Sequence, residues 1–389
     1  MSAAHQALQA ALDERRILVV SGSGGVGKTT TAAALALRAA IQGRRVLVCT
    51  IDPSRRLATS LGLEKLTDRA REMDIARFDP RAGGRMWAMT LDTKRTFDTL
   101  VERHAPDAAA RRRILDNRFY KQISAALAGS HEYMAMEKLL DLSADERFDL
   151  VVLDTPPTRH ALDFLEAPER MMGFLDASVL RWFLKPYFVA GRLTLKVATR
   201  TGAFFLKLAD RVLGLQFLQD LSEFFLAFEG MYAGFKERAA EVHALLRRED
   251  SGFVLVASPS SLTLEEALYF HRRLIEREMP FVGFIVNRLH PSAAASARGT
   301  APDIDDDLGD LLVEVFKDYS RLAKSEMVNV ARLEKETDTE PVLVPELEGD
   351  VHDLVGLHEV GELLLGSSAL PARRGRKRAR SVAAAGRAR

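Results

Sequence analysis

The sequence predicts an α/β fold in which a mostly parallel, doubly wound sheet is flanked by helices on both faces. Two observations support this prediction: apolar, strand-like runs recur along the chain, and helical stretches separate them. The strand-like runs are residues 17–21, 45–51, 86–91, 150–154, 253–258, 281–287 and 341–344. Because crossovers between parallel strands are right-handed, loops that handle phosphate are expected at the carboxyl ends of these strands.

The composition is that of an ordinary globular protein, with 47% hydrophobic and 28% charged residues among 389. No run reaches the roughly 18 uncharged apolar residues that span a bilayer. Residues 1–16 carry Asp13 and Glu14 and lack an apolar signal core, so a cytoplasmic protein is expected. The single cysteine, Cys49, excludes a disulfide within the chain and a metal site made of thiolates alone, and its apolar neighbours predict that it is buried.

Charge is distributed unevenly along the chain. The net charge is +1, but residues 371–389 contain eight basic and no acidic residues, which leaves −7 on the remainder. This acidic body argues against nucleic-acid binding by the folded part. Residues 367–389 are expected to form a disordered basic tail. A solvated tail is the favoured interpretation, and contact with anionic lipid or nucleic acid, with a peripheral position at a membrane, is the alternative.

A glycine-rich segment between the first predicted strand and a predicted helix over residues 30–41 carries the most specific chemical signal. It fits the pattern G-x-x-x-x-G-K-[ST], and its residues are Gly22, Ser23, Gly24, Gly25, Val26, Gly27, Lys28, Thr29 and Thr30. Glycines let successive backbone N–H groups point at phosphate oxygens, and the helix adds its positive end. The segment predicts the phosphate loop of a P-loop NTPase, with Lys28 on the β- and γ-phosphates and the Thr29 hydroxyl on Mg²⁺.

Two aspartates follow predicted strands. Asp52 is placed to orient or deprotonate an attacking water, although a turn or helix-cap aspartate is the alternative. Asp154 ends an apolar strand, as a Walker B aspartate does, and is predicted to hold a water of the Mg²⁺ shell. The proline-rich turn at residues 155–160 is predicted to sense the γ-phosphate, while His160 itself is predicted to be structural.

Residues 168–250 interrupt the alternation of strands and helices. They lack a strand-like signal and are rich in Phe, Leu and Met, so an all-helical subdomain inserted into the sheet is predicted. The predicted organisation is an ATPase core at 1–168 and 251–366, a helical insert at 169–250 and the tail at 367–389. Periodicity favours a satellite core for the aromatic side chains of the insert, and a groove for a helical client or a membrane-contact face is the alternative. A long, charged amphipathic helix is expected at residues 303–336.

Several of these segments together resemble the ArsA and Get-pathway targeting ATPases. The resemblance rests on Asp52-Pro53 after a strand, on the segment from Asp154 through His160, and on the helical stretch that follows it. These ATPases belong to the deviant Walker A class, with the MinD and ParA positioning ATPases and the nitrogenase iron protein. The resemblance covers about residues 15–365 and includes the segments at 284–288 and 342–347.

The resemblance implies a cytoplasmic ATPase that uses ATP and Mg²⁺. It implies that Lys28 and Thr29 hold phosphate and metal, that Asp52 positions water, and that Asp154 completes the metal shell. It also implies that Asn287 reads adenine and that the loop around Pro345 closes over the base. Two such sites face each other in a homo- or hetero-dimer with a related subunit. The resemblance further implies that hydrolysis rearranges the helical insert, and the insert is expected to bind a hydrophobic client helix or a membrane-associated protein.

The chain departs from the family pattern at two points. A signature lysine that reaches the phosphates of the partner subunit is replaced by Ser23, which implies slow hydrolysis, substitution by Arg55 or Arg56, or a hetero-partner that supplies the lysine. The single Cys49 can build neither the metalloid site, nor the zinc site, nor the iron–sulfur cluster of the cysteine-bearing branches, so metalloid transport is not expected. The alternatives to a client-binding ATPase are a MinD/ParA-type positioning ATPase acting on membrane or DNA, and an ATP-gated scaffold with little hydrolysis.

Overall fold

The computed structural model describes residues 2–52, 54–123, 130–156, 224, 231–290 and 306–366. Its centre is an eight-stranded sheet. The strands are β1 (Ile17–Gly22), β2 (Arg45–Thr50), β3 (Arg71–Met73), β4 (Arg85–Thr90), β5 (Leu150–Asp154), β6 (Ser251–Ala257), β7 (Phe281–Leu289) and β8 (Val342–Pro345). Their order in the sheet is β3-β4-β2-β5-β1-β6-β7-β8. Every neighbouring pair is parallel except β3 and β4, so the predicted fold class is confirmed.

All seven predicted strands are present, and one further strand, β3, was not predicted. It contains three residues, of which Arg71 and Glu72 are exposed and only Met73 is buried. It pairs antiparallel with β4 at the edge of the sheet. A strand this short and polar produces no apolar run, so the periodicity of the sequence cannot indicate it.

Helices cover both faces of the sheet. They are α1 (Ala3–Glu14), α2 (Lys28–Ile41), α3 (Arg56–Ser60), α4 (Ile75–Phe78), α5 (Thr93–His104), α6 (Ala108–Asp116), α7 (Arg118–Ile123), α8 (Ser130–Ser143), α9 (Tyr232–Arg247), α10 (Ser261–Glu276), α11 (Asp306–Thr337) and α12 (Leu354–Leu364). None of the helices in these residues combines the length and the apolarity that crossing a membrane requires.

The sheet separates two hydrophobic cores. Along β1, Ile17 and Val19 contribute to the core shared with α5, α8, α9 and α10, whereas Leu18 and Val20 contribute to the core shared with α1, α2 and α12. This alternation is the two-residue period of a strand whose faces are both buried. It explains why the central strands appear in the sequence as unbroken apolar runs.

The long helix α11 agrees with the amphipathic helix expected at 303–336. Ala323, Val330 and Leu333 are buried at helical spacing, while the remainder of the helix is largely exposed. The exposed apolar side chains on it are Leu308, Leu311, Leu312, Val313, Val315, Phe316, Leu322, Met327 and Val328.

Only part of the predicted insert and none of the predicted tail lie within the described residues. From 169–250, the structure describes residue 224 and residues 231–250, and α9 within them packs against α8 and β6. The rest of the insert, the segment 157–160 and residues 367–389 lie outside the described residues. The domain boundaries therefore stay a prediction.

Candidate nucleotide-binding site

The glycine-rich segment joins the end of β1 to the start of α2, at the carboxyl edge of the sheet. β1 lies between β5 and β6, so the loop emerges at the centre of that edge. Two glycines are required by its shape. A Cβ on Gly22 would lie 2.0 Å from the carbonyl oxygen of Val256. Gly27 has a φ of 95°, and a Cβ on it would lie 2.2 Å from the side-chain amide nitrogen of Asn287. The local fold agrees with a phosphate loop.

The first turn of α2 leaves backbone donors available. The residue before the helix, Gly27, offers no side-chain cap, whereas Asp92, Asp107 and Asp353 cap α5, α6 and α12 by accepting from backbone N–H groups. The first N–H groups of a helix have no partner within it, and no side-chain cap accepts from those of α2 within the described residues. Such an end, with its positive dipole, suits a phosphate group.

Lys28 is buried at the start of α2, and its ammonium donates to the carbonyl oxygen of Ser23 at 2.7 Å. Burial lowers the pKa of Lys28, and the charge of Asp154 opposes that shift. An ammonium held in this position is stabilised by any anion that reaches the loop.

The remaining predicted loop residues have less specific environments. Gly24 and Gly25 are exposed at the tip, Val26 is buried beneath it, and Thr30 is partly buried in α2.

Asp154 is fully buried at the end of β5. Its Oδ2 accepts hydrogen bonds from the hydroxyls of Thr29 and Thr50, each at 2.8 Å. Its Oδ1 has no hydrogen-bond partner within the described part of the chain. Burial raises the pKa of Asp154 to about 6, and the two hydroxyl donors oppose that shift. A buried carboxylate oxygen without a partner, beside hydroxyl oxygens, is a donor set suited to a hard cation such as Mg²⁺.

Sequence reasoning missed Thr50. It is the last residue of β2 and lies opposite Asp154 in the register of β2 and β5. The sequence offered one signal for Thr50: it is a hydroxyl residue at the end of the strand that lies next to β5. The strand order was needed to interpret it.

Asp52 lies two residues beyond β2. Its Oδ1 accepts from the backbone N–H of Ser54 at 2.8 Å, and its Oδ2 lies 3.9 Å from the guanidinium of Arg56. The hydrogen bond is that of the turn aspartate named above as the alternative, and the second oxygen is left for another role. Its role in positioning water stays a prediction. Arg55 and Arg56 are both exposed.

Ser23, at the position where the sequence resemblance predicts a lysine, is buried, and its hydroxyl donates to a carboxylate oxygen of Glu266 on α10. Glu266 was not identified from the sequence, because 243 residues separate it from Ser23. No motif in the sequence connects the two.

The predicted base-binding residues lie on the neighbouring strands. Asn287, near the end of β7, donates from its amide nitrogen to the carbonyl oxygen of Val26 at 2.9 Å. Pro345 is the last residue of β8 and pairs with Leu289. Asn287 therefore contacts the phosphate loop, and its recognition of adenine stays a prediction.

The segment after β5 begins at the loop as well. The hydroxyl of Thr155 donates to the carbonyl oxygen of Val20 at 3.0 Å and lies 3.3 Å from the hydroxyl of Ser21. The start of the predicted switch is thus bound to the strand that carries the phosphate loop.

The comparisons with known proteins agree with this geometry. Residues 15–335 match the family described as anion-transporting ATPase. The chain is 24% identical to ATPase GET3C of Arabidopsis thaliana over 76% of its own length and 72% of that protein. It is 22% identical to ATPase ASNA1 homolog 1 of Paramecium tetraurelia over 91% of its length and 93% of that protein. It is 32% identical to a putative arsenical pump-driving ATPase of Halobacterium salinarum, but over only 43% of its length and 26% of that protein. Because the family match covers residues 15–335, the chain, with its mostly parallel sheet and glycine-rich loop, belongs to the anion-transporting ATPase family and is an ATPase.

Proposed function

We propose that the protein is a Mg²⁺-dependent ATPase of the deviant Walker A class in which Ser23 replaces the signature lysine. The observation that carries this proposal is the meeting of Thr29, from the phosphate loop, and Asp154, from β5, with one carboxylate oxygen left unpartnered. Among the residues that the structure describes, no cluster of three or more His, Cys, Asp or Glu offers a metal site. That fits Mg²⁺, which one carboxylate commonly holds together with hydroxyl, water and phosphate oxygens.

Each residue of the site then has a defined task. The N–H groups of the loop and of the first turn of α2 bind the phosphates, and Lys28 exchanges the Ser23 carbonyl for phosphate oxygens. Thr29 would hold the Mg²⁺ and Asp154 would hold a water of its shell, and the bound ion would neutralise charge on the phosphates. Asp52 orients the attacking water through the oxygen that the turn does not use.

The base lies at the edge formed by β7 and β8. Asn287 recognises adenine, and the loop after Pro345 closes over it. The contact between Asn287 and Val26 supports this assignment, because it fixes the amide beside the phosphate loop. A base at that amide is within reach of the phosphates held by the loop.

Two sites act together in a homo- or hetero-dimer, and hydrolysis rearranges the helical insert, which binds a hydrophobic client or a partner protein. The sequence resemblance supports this part of the proposal. The hydrogen bond from Thr155 to β1 supports the coupling of hydrolysis to the insert, because the segment that leads to the insert starts beside the strand that carries the phosphate loop. The cytoplasm is the expected location.

Metalloid transport is not part of this function. Cys49 is buried between strands of the sheet, and burial raises the pKa of its thiol to about 12. A single thiol in that state cannot present the thiolates that bind metalloids.

One observation favours a second function, an ATP-gated scaffold with little hydrolysis. Ser23 cannot supply the positive charge of the lysine that the resemblance predicts, and the two candidate substitutes, Arg55 and Arg56, are exposed beyond β2. The scaffold and the ATPase share the same nucleotide site and differ in turnover. A MinD/ParA-type positioning role has no comparable support among the described residues.

The test is nucleotide binding and turnover in the full chain. Calorimetry is expected to show uptake of ATP that depends on Mg²⁺, and Lys28→Ala is expected to weaken it by at least about tenfold, because the buried ammonium is lost. Arg45→Ala serves as the control, because Arg45 is the first residue of β2 and lies at the end of the strands opposite the glycine-rich loop. Steady-state phosphate release above the Lys28→Ala background identifies the ATPase, and binding without release identifies the scaffold. Absence of Mg²⁺-dependent binding in a folded protein would refute both.

A further inference from the structure

Ser23 connects two groups of opposite charge. Its carbonyl oxygen accepts from the Lys28 ammonium at 2.7 Å, and its hydroxyl donates to the carboxylate of Glu266. Glu266 belongs to α10, which follows β6, the strand that contacts the loop at Gly22. One residue of the phosphate loop is therefore held between the lysine that serves the phosphates and a carboxylate from another element.

Glu266 has no cation beside it within the described residues. Its neighbour on α10, Glu265, lies 3.3 Å from the guanidinium of Arg332, whereas no ion pair in the described part of the chain involves Glu266. Glu266 is also partly buried, which weakens the screening of its charge by solvent, while Glu265 is exposed. Glu265 is thus exposed and paired with a cation, whereas Glu266 is partly buried and has no ion pair among the described residues.

We propose that Glu266 is a positioning residue that holds the phosphate loop through Ser23 and opposes the binding of a nucleoside triphosphate more strongly than that of a diphosphate. The proposal rests on the proposed function, because it requires a nucleotide at the loop. A triphosphate brings one more negative phosphate to the loop that contains Ser23, whose hydroxyl contacts the carboxylate of Glu266. The sequence resemblance predicts a lysine at this position, and Ser23 carries no positive charge that could pair with Glu266.

The experiment compares Kd values of Mg-ATP and Mg-ADP by calorimetry for the full chain and for the variants Glu266→Gln and Glu265→Gln. Glu266→Gln is expected to tighten Mg-ATP binding by about three- to tenfold, with a smaller change for Mg-ADP and a smaller effect at high salt. Glu265→Gln, which removes the same charge one residue away, is expected to change neither Kd.

Two further variants test the connection through Ser23. In a Ser23→Ala background, the hydrogen bond is absent, so Glu266→Gln is expected to have a smaller effect than in the wild-type chain. Ser23→Lys places an ammonium beside Glu266 and is expected to tighten Mg-ATP binding. In that background Glu266→Gln is expected to lose its benefit, because the carboxylate is already paired.

Three results would overturn the proposal. They are equal Kd values for Glu266→Gln and Glu265→Gln, weaker Mg-ATP binding in Glu266→Gln, and equal tightening of Mg-ATP and Mg-ADP. If the wild-type chain binds Mg-ATP and one of these results is found, the proposed function stands and the role of Glu266 falls. If a wild-type chain with a native circular dichroism spectrum binds neither nucleotide, both fall.

Discussion

The carboxylate of Asp154 accepts two hydroxyl donors on one oxygen and none on the other. Full burial removes water from the carboxylate and destabilises its charged form, which is why the pKa of Asp154 is raised to about 6. A carboxyl group with a raised pKa stabilises the fold at low pH, and this contribution is lost as the pH rises through about 6. At neutral pH the residue therefore costs stability, and a bound cation offsets that cost.

This raised pKa predicts how metal binding depends on pH. In the proposed site the ionised Asp154 holds a water of the Mg²⁺ shell, so protonation of Asp154 opposes metal binding, and the affinity for Mg-ATP is expected to be about tenfold weaker at pH 5 than at pH 7.5. The measurement is the Kd by calorimetry across that range. ATP itself is protonated there, so Asp154→Asn serves as the reference, and its Kd is expected to depend less on pH. Equal pH dependence in the two proteins would contradict the assignment of Asp154 to the metal.

Helix α9 is held to α8 by a charged cluster rather than by apolar contacts alone. The guanidinium of Arg238 donates to Glu137 and Asp141, each at 2.9 Å, and the Tyr133 hydroxyl donates to Glu137 at 2.7 Å. Glu137 is only 1% exposed, so its charge depends on these partners.

A second connection joins the end of β7 to α11, where His290 contacts Glu326 through both its backbone N–H and its ring.

The cluster predicts a large effect for one substitution. Arg238→Met leaves the buried charge of Glu137 without its cation, and the free energy of unfolding is expected to fall by about 3–5 kcal/mol in urea titrations. Arg45→Met, which breaks an exposed pair with Asp149, is expected to leave the free energy of unfolding nearly unchanged, because solvent screens that pair. Adding Glu137→Gln to Arg238→Met is expected to recover part of the loss. Equal costs for the two arginines would show that the cluster contributes no more than a surface pair.

These elements also show what the sequence could reveal. The seven apolar runs were recognisable because parallel strands with two buried faces lack polar alternation, and the phosphate loop was recognisable because its chemistry is local. Strand β3 is too short and polar to indicate itself. Thr50 and Glu266 contact residues 104 and 243 positions away, so their roles depend on the strand order and not on any local pattern.

Across the molecule, one sheet carries two cores, and the family match at 15–335 includes most of both. Cys49 lies in this sheet, on β2, and is 1% exposed. Its burial predicts that a thiol reagent such as Ellman's reagent does not react with the native chain and reacts with one equivalent per chain in denaturant. The release of the coloured product, followed by its absorbance, measures this reaction. Rapid reaction without denaturant would contradict the burial of β2.

Because the native thiol is shielded, the protein is ready for site-specific labelling without prior removal of a cysteine. A cysteine introduced at an exposed position of α11, such as Val328, would be the single reactive group under native conditions. A dye attached there would report distances between subunits by energy transfer. Such a measurement would address the proposed dimer with a chain that differs from the natural one at a single side chain.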